Sequence, residues 1–162
     1  MPVLQILLIV LLAVVALILV LIIYSGLTIF IQNRKPHISL GLENGKLREI
    51  PNKKNAVSTE TSFSDKLVSP MTFKDNLELT KSSLKKALEA YGGIVIIKEE
   101  DNYIYAVATT PTMRFHDDLE IYFDEANRII HFRSASRAGY SDMGLNRQRY
   151  DKIVTFYEQM NT

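Results

Sequence analysis

The longest apolar run of the chain lies at its N-terminal end. No charged residue occurs between Val3 and Ile31. A helix needs about 20 residues to cross the hydrocarbon core of a bilayer, so this run can span it with some tilt. A cleaved signal peptide is the alternative, but it normally has a basic start, a shorter apolar core and a small-residue cleavage site. The run shows none of these features, and we expect residues 1–31 to form a retained transmembrane anchor.

The next stretch, residues 32–70, is polar and is interrupted by prolines and glycines. Asn44-Gly45 is a strong signal for a type I′ turn, and Leu42 and Leu47 would pair across that turn. These features predict a short hairpin or a structured arm. The composition is equally typical of a simple linker.

Residues 71–162 show the pattern of one domain with a helix, four strands and a second helix. Thr80 is the predicted N-cap of the first helix, which runs to Tyr91 and stops at Gly92-Gly93. The other predicted elements are strands over residues 94–98, 103–109, 118–124 and 129–135, and a helix over residues 146–160 with Tyr150, Ile153, Tyr157 and Met160 facing inward.

The alternation of apolar and polar residues sets the register of the last two strands. A turn at Ala126-Asn127 places Ile121 opposite Phe132 on one face, and Glu120 opposite Arg133 on the other. A slip by one residue would bury the charged pair, so burial of the apolar face fixes the pairing. The sequence therefore predicts an α+β fold with a mainly antiparallel sheet packed with two helices, preceded by one N-terminal transmembrane helix.

Charge and composition narrow the functional classes. The 162 residues include 19 Lys+Arg and 18 Asp+Glu, a net charge of +1, whereas a small nucleic-acid-binding domain is usually clearly basic. We therefore expect no nucleic acid partner. The absence of cysteine excludes disulfides, a thiolate nucleophile and zinc–thiolate sites. Arg34 and Lys35 follow the apolar run directly, so the positive-inside rule favours a cytoplasmic location for the domain.

Most of the chemistry in the sequence lies between Arg133 and Arg149, in the segment RSASRAGYSDMGLNRQR. Arginines around the exposed N–H groups of a helix start are typical of an anion site. Asp142, however, is a natural N-cap that would use the same N–H groups, which favours a structural capped turn. The glycine spacing matches neither a P-loop nor a dinucleotide fingerprint, and we expect no cofactor. The candidate ligand-binding residues are Arg133, Ser134, Ser136, Arg137, Ser141, Asn146, Arg147 and Arg149, together with Asp118 and Glu120.

Acidic residues at the start of the third predicted strand are the second group of candidates. Glu120 and Arg133 would form a cross-strand ion pair, either as a structural pair on a solvated face or as the lining of a groove below the loop. Histidine and carboxylates at His116-Asp117-Asp118 have the chemistry of a metal site or of general acid–base catalysis. His37 and His131 are remote in sequence, so we predict no metal site.

Two stretches, residues 114–120 (RFHDDLE) and residues 133–149, resemble a known family, the proteins of unknown function named DUF1499. Weaker similarity extends back to about residue 41. Relatives commonly carry a Cys-Pro pair and an Asn-Cys-Val-Ser segment, where this chain has Ile50-Pro51 and Asn55-Ala56-Val57-Ser58. The resemblance implies a fold and a motif, but no reaction, and any disulfide or redox role of relatives does not transfer.

Two functional classes follow from these residues. The favoured one is a single-pass, non-enzymatic binding module whose loop meets an anionic group on a ligand, a lipid headgroup or a protein. The alternative is a hydrolase-like enzyme that uses Asp117, Asp118 or Glu120 as its carboxylates, with arginines as charge stabilisers. Because Arg137 is expected at the surface in the first class, its replacement by alanine should change stability by no more than about 1 kcal/mol.

Overall fold

The apolar N-terminal run forms one continuous helix, α1 (Val3–Arg34), in the computed structural model, which describes residues 2–35 and 40–160. Its 32 residues extend for about 48 Å at 1.5 Å per residue. The side chains are exposed along nearly the whole helix. Among the described residues it is the one helix long and apolar enough to cross a membrane.

The core of the domain is a six-stranded antiparallel sheet, which confirms the predicted fold class. Its strands run in the order β3-β8-β7-β6-β5, and β4 also pairs with β8. The strand bounds are β3 (Ala56–Ser58), β4 (Met71–Thr72), β5 (Ile94–Glu99), β6 (Tyr103–Thr109), β7 (His116–Asp124) and β8 (Ile129–Ser136).

The predicted register of the β7–β8 hairpin is confirmed on both faces. Ile121 lies opposite Phe132, and Glu120 lies opposite Arg133. The ladder ends at Asp124, and the turn is completed by Arg128 in a left-handed conformation. We call the face that carries Ile121 the inner face of the sheet and the face that carries Glu120 the outer face.

Two helices cover the inner face, α2 (Leu77–Tyr91) and α3 (Leu145–Gln159). The apolar core lies between the helices and the sheet. Its fully buried members include Leu84 of α2, Ile153 of α3 and Leu119, Ile121, Phe123, Ile130 and Phe132 of the hairpin.

The predicted N-cap of α2 was wrong. The helix begins one turn earlier, and the side chain of Asn76 accepts the cap hydrogen bond from the N–H of Leu79 at 2.8 Å. Thr80 is buried inside the first turn, where its hydroxyl donates to the Asn76 carbonyl at 2.7 Å and accepts from the N–H of Lys74 at 3.0 Å. Asn is as good a cap as Thr, and the apolar Leu77 between them belongs to the helix rather than to the preceding loop. The predicted stop at Gly92 is confirmed.

The polar stretch before the domain is built into the fold. β1 (Leu42–Glu43) and β2 (Lys46–Leu47) form the predicted hairpin, with Leu42 opposite Leu47. Asn44 and Gly45 both have positive φ, 53° and 76°, as a type I′ turn requires. β3 and β4 then join the edge of the main sheet, and a short 3-10 helix (Ser64–Lys66) lies between them. The sequence pattern did not predict either strand.

Candidate functional site

The candidate residues gather at one end of the β7–β8 hairpin. His116 begins β7 and Ser136 ends β8, and the loop of residues 137–144 leads from there into α3. Because adjacent positions on a strand point to opposite faces, the hairpin has polar side chains on both its outer and its inner face. Asp118, Glu120 and Arg133 lie on the outer face, whereas Asp117, Ser134 and Ser136 lie on the inner face.

On the outer face, Glu120 and Arg133 form the predicted cross-strand pair. Arg133 Nη1 lies 3.0 Å from Glu120 Oε2, and each side chain is only 1% exposed. The hydroxyl of Tyr103 donates to Glu120 Oε1 at 2.7 Å, and the N–H of Gly41 donates to the same atom at 2.5 Å. Burial, with the hydrogen bond to Glu120 and the charge of that carboxylate, raises the pKa of Tyr103 far above its usual value.

The expectation that this pair lies on a solvated face was wrong. Residues 40–50, which we call the arm, cover the outer face, and the buried Leu47 and Ile50 are part of that cover. The carbonyl of Arg48 accepts a hydrogen bond from Arg133 Nη1 at 3.1 Å. The alternation of side chains places the pair on the face of the sheet that points away from the helices. It carries no information on whether another part of the chain packs on that face.

A second outer-face pair lies closer to the loop. Arg137 donates to Asp118 Oδ1 from Nε at 3.0 Å and from Nη2 at 2.8 Å, and Nη2 also reaches the Tyr105 hydroxyl at 3.0 Å. Tyr105 in turn donates to the same carboxylate oxygen at 2.8 Å. Burial opposes the charged form of Arg137, but the hydrogen bond to Asp118 and the charge of that carboxylate prevail and raise the arginine's pKa. Burial and the same carboxylate raise the pKa of Tyr105 to about 12.

The third pair crosses from the sheet to α3 on the inner face. Arg149 Nη2 donates to Asp117 Oδ2 at 2.5 Å, and both side chains are about 2% exposed. Arg149 Nη1 donates to Asn146 Oδ1 at 2.7 Å and to Ser134 Oγ at 3.1 Å. The Ser134 hydroxyl also donates to Asn146 Oδ1. This cluster is a polar extension of the core.

Asn146 fastens the loop to its surroundings. Its Nδ2 group donates to the Asn55 carbonyl at 2.9 Å, to Ser136 Oγ at 3.0 Å and to Asp142 Oδ2 at 2.7 Å. Asn55, itself 1% exposed, donates through Nδ2 to the Gly139 carbonyl at 2.9 Å. The loop is therefore held from both the β3 side and the α3 side.

The start of α3 is occupied by an acidic side chain from the chain itself. Asp142 accepts from the N–H of Gly144 at 2.9 Å and from the N–H of Asn146 at 2.7 Å. Gly144 is the N-cap residue, with φ of 82°. Asp142 thus fills the position that an anion would take at this helix start. The sequence favoured a capped turn with Asp142 as the N-cap; Asp142 does bind these N–H groups, but it lies two residues before the N-cap Gly144.

Two further candidates are placed differently. Arg147 Nη2 donates to the carbonyls of Asp65 and Leu67, each at 3.1 Å, and so ties α3 to the segment after β3. Ser141 is exposed, and its hydroxyl oxygen accepts from the N–H of Met143 at 3.3 Å. The structure therefore brings eight of the ten candidates into the three ion pairs and the Asn146 cluster, and leaves Arg147 and Ser141 at the surface of the same region.

A cavity of about 210 Å³ lies between the loop and the C-terminal end of α1. We call it the anchor cleft. Its walls are mainly apolar and include Ile29 of α1, Phe115, Ala138, Ser141, Met143 and Leu145. Asn33 of α1 bonds to the backbone on both sides of Phe115: its Nδ2 donates to the Arg114 carbonyl at 2.9 Å, and its Oδ1 accepts from the N–H of His116 at 2.7 Å.

The histidines do not form a common site. Burial, together with the charges of Arg137 and Arg114, lowers the pKa of His116 and favours its neutral form. His131 lies on the outer face near Glu60 and Thr59, and His37 lies outside the described residues. Within residues 2–35 and 40–160, no three His, Asp or Glu side chains converge as metal ligands would.

Three residues that organise the site were missed from the sequence. Tyr103 and Tyr105 hold the two outer-face carboxylates, and Asn55 holds the loop. The tyrosines carried a usable signal, because their alternation on β6 places them on the same face as Glu120 and Asp118. Asn55 lies in the polar stretch, where nothing in the local pattern separated it from linker residues.

Comparison with known proteins agrees with the resemblance seen in the sequence. The family described as "Protein of unknown function (DUF1499)" matches residues 46–156, and the chain belongs to this family. The match covers the arm hairpin from β2 onward, the whole sheet and nearly all of α3. No curated protein and no solved structure matches the chain.

Proposed function

We propose that this DUF1499 protein is a single-pass membrane protein whose domain is a non-enzymatic binding module, with the anchor cleft as its ligand site. The observation that carries the proposal is that Arg133, Arg137 and Arg149 are paired with carboxylates of the domain itself, while the loop of residues 137–144 forms one wall of a cavity. In this proposal Arg133, Arg137 and Arg149 act as positioning residues, and the ligand contacts come from residues that line the cleft.

The state of the carboxylates argues against the hydrolase alternative. A general base must reach the proton that it removes. Asp117, Asp118 and Glu120 are each about 1–2% exposed, and each is bound by its own arginine. They also point to two faces of the sheet, so they do not converge on one reacting atom.

The proposed ligand has an apolar part and an anionic part. The apolar part suits the cleft, whose walls are mostly carbon. Asp117 and Asp142 also line the cavity, so the anionic group of the ligand belongs outside it. Arg114 is exposed beside the cleft, and Arg34 and Lys35 follow Asn33 directly. These cations suit a phosphate or carboxylate at the rim.

The size of the cleft limits what it can hold. Its volume is about 210 Å³, whereas drug-sized ligands usually occupy cavities of about 300 Å³ or more. Only part of a ligand would enter, such as the end of a hydrocarbon chain. An amphiphile delivered from the bilayer meets this requirement.

The test uses the full-length protein in nanodiscs and a photoactivatable fatty acid with a diazirine in its chain. We expect saturable cross-links to Phe115, Met143 or Leu145, which excess ordinary fatty acid should suppress. Ala138→Phe fills the cleft and should abolish these cross-links, and Ser141→Phe provides a second, exposed position on the same wall.

The matched control is Ala126→Phe, which adds the same ring to the exposed turn at the opposite end of the hairpin. It should leave the cross-links unchanged. Cross-links confined to the exposed surface of α1, or cross-links that neither competitor nor cleft-filling variants reduce, would contradict the proposal.

A further inference from the structure

Three of the six exposed large apolar side chains described outside α1 lie in two loops. Met113 is 68% exposed in the β6–β7 loop, and Tyr140 and Met143 are 64% and 93% exposed in the loop before α3. Among the described residues outside α1, the other exposed large apolar side chains are Leu67, Val95 and Ile97, and each of them is less exposed than these three. Isolated exposed apolar residues are ordinary, but a group of them on one side marks an interaction surface.

Both loops lie beside the end of α1. Thr110 and Phe115 of the first loop and Ala138, Gly139 and Met143 of the second line the anchor cleft together with Ile29. The two loops are joined directly as well, because the N–H of Arg137 donates to the His116 carbonyl at 3.1 Å. The two loops that carry the exposed side chains therefore lie at the point where the anchor meets the domain.

The anchor leaves the domain little freedom to move away from a membrane. Asn33 is the last residue but one of α1, and it is hydrogen-bonded to both Arg114 and His116. No linker separates the apolar helix from this contact. When α1 spans a bilayer, the β6–β7 loop is held where the helix leaves it.

The length of α1 sets the depth of this contact. The charge-free run from Val3 to Ile31 extends for about 44 Å as a helix, and a bilayer with its headgroups is about 40–45 Å thick. An upright helix therefore places Asn33 at the boundary of the headgroups, and any tilt brings it deeper. In both cases the two loops reach the headgroup layer.

The charges around the loops suit an anionic surface. Arg34, Lys35 and Arg114 are exposed, and residues 110–115 include no acidic residue. Asp142 is the acid nearest to the exposed side chains in the second loop, and its carboxylate is already bonded to backbone N–H groups. Tyrosine is also a residue that favours the headgroup region, since it has an apolar ring and a polar end.

We propose that these two loops form a bilayer face, in which Met113, Tyr140 and Met143 enter the headgroup layer of the membrane that α1 spans, and Arg34, Lys35 and Arg114 contact anionic phospholipids. The occupant of this surface is the lipid itself. The inference rests on the membrane-spanning role of α1, but it needs no ligand in the anchor cleft.

Because the 162 residues include no cysteine, single introduced cysteines allow a direct test. Met113→Cys, Tyr140→Cys and Met143→Cys are made singly in the full chain, labelled with an environment-sensitive fluorophore and reconstituted in nanodiscs of phosphatidylglycerol. A fraction of the lipid carries a nitroxide at the headgroup. We expect a blue-shifted emission and strong quenching at all three positions.

Two labelled controls make the comparison specific. Val95→Cys reports on an exposed apolar residue of β5, outside the two loops, and Ala126→Cys reports on the far turn of the β7–β8 hairpin. Both labels should be quenched much less. Quenching at the three loop positions no greater than at Val95→Cys would overturn the bilayer face and would favour a protein partner for these residues.

A separate experiment tests the role of Arg114 in binding anionic headgroups. Arg114→Gln should reduce quenching at Met113→Cys in phosphatidylglycerol, and should have little effect in phosphatidylcholine. Equal quenching of the labelled Met113→Cys protein in the two lipids, with Arg114 in place, would overturn the assignment to anionic headgroups. The quenching readout needs no ligand in the anchor cleft, so this test and the test of ligand binding can fail separately.

Discussion

The middle of the β7–β8 hairpin is buried on its inner face and, at Glu120 and Arg133, on its outer face, but different parts of the chain cover the two faces. Ile121, Phe123 and Phe132 on the inner face pack against α2 and α3 in an apolar core. Glu120 and Arg133 on the outer face are 1% exposed beneath the arm, and they are held by an ion pair and by hydrogen bonds. In the middle of the hairpin, burial thus rests on dispersion and area on the inner side, and on charge pairing on the outer side.

The comparison shows how polar residues at the end of a hairpin can resemble a binding site. Four arginines near a helix start suggest an anion site when their partners are unknown. In the structure, three of them neutralise Asp117, Asp118 and Glu120. Buried charges of this kind require partners, because an unpaired charge in the interior is very costly.

The largest expected effect is on the outer face. Arg133→Met leaves the buried Glu120 carboxylate without its cation, and we expect a loss of about 3–5 kcal/mol in the free energy of unfolding. Urea titration of the full chain in micelles, followed by tyrosine fluorescence, measures this loss. A change below about 1 kcal/mol would mean that the pair behaves like an exposed one.

The inner face should respond by loss of packing alone. Ile121→Ala creates a cavity among core residues, and we expect a loss of about 2–5 kcal/mol. The loss should be the same at about pH 8 and about pH 6, because no titratable group of the network is removed. A strong pH dependence of the loss in this variant would show that the two faces are not separate in the way described.

Arg137 gives an intermediate case. From the sequence, Arg137→Ala should cost no more than about 1 kcal/mol as a surface change. The structure pairs Arg137 with the buried Asp118, although Tyr105 still donates to that carboxylate in the variant. We therefore now expect a loss of about 1–3 kcal/mol.

The control for this experiment is Arg147→Ala, which removes an arginine bonded only to exposed carbonyl groups of the segment after β3. It should cost less than Arg137→Ala. Equal losses in the two variants would indicate that pairing with a buried carboxylate adds nothing at this end of the hairpin.

The smallest expected effect is a pH dependence from His116. Its pKa in the folded protein lies below the usual value, so between that pKa and about 6.5 the unfolded chain binds more protons than the folded one. The contribution of His116 to stability is therefore complete above pH 6.5 and is lost as the pH falls through this range. His116→Gln should flatten the stability profile between about pH 8 and about pH 5.5, and an unchanged profile would assign the dependence to other groups.

The predictions from sequence were correct where interactions between residues close in sequence determine the structure, and they failed where distant residues determine it. The β7–β8 register and the Asn44-Gly45 turn were confirmed, because apolar alternation and positive φ act over a few residues. The pairing of β3 with β8 was not predicted, since it joins residues more than 70 positions apart in a short, polar stretch. The same limitation hid the arm over the outer face, and with it the burial of Glu120 and Arg133.

The most direct test of this account is a double-mutant cycle with Arg133→Met, Glu120→Leu and the double variant. The pair is buried and in contact, so we predict a coupling energy of at least about 2 kcal/mol, with the double variant more stable than Arg133→Met alone. A coupling of about 0.2–1 kcal/mol, the range of exposed ion pairs, would contradict the claim that the outer face is a charge-paired interior.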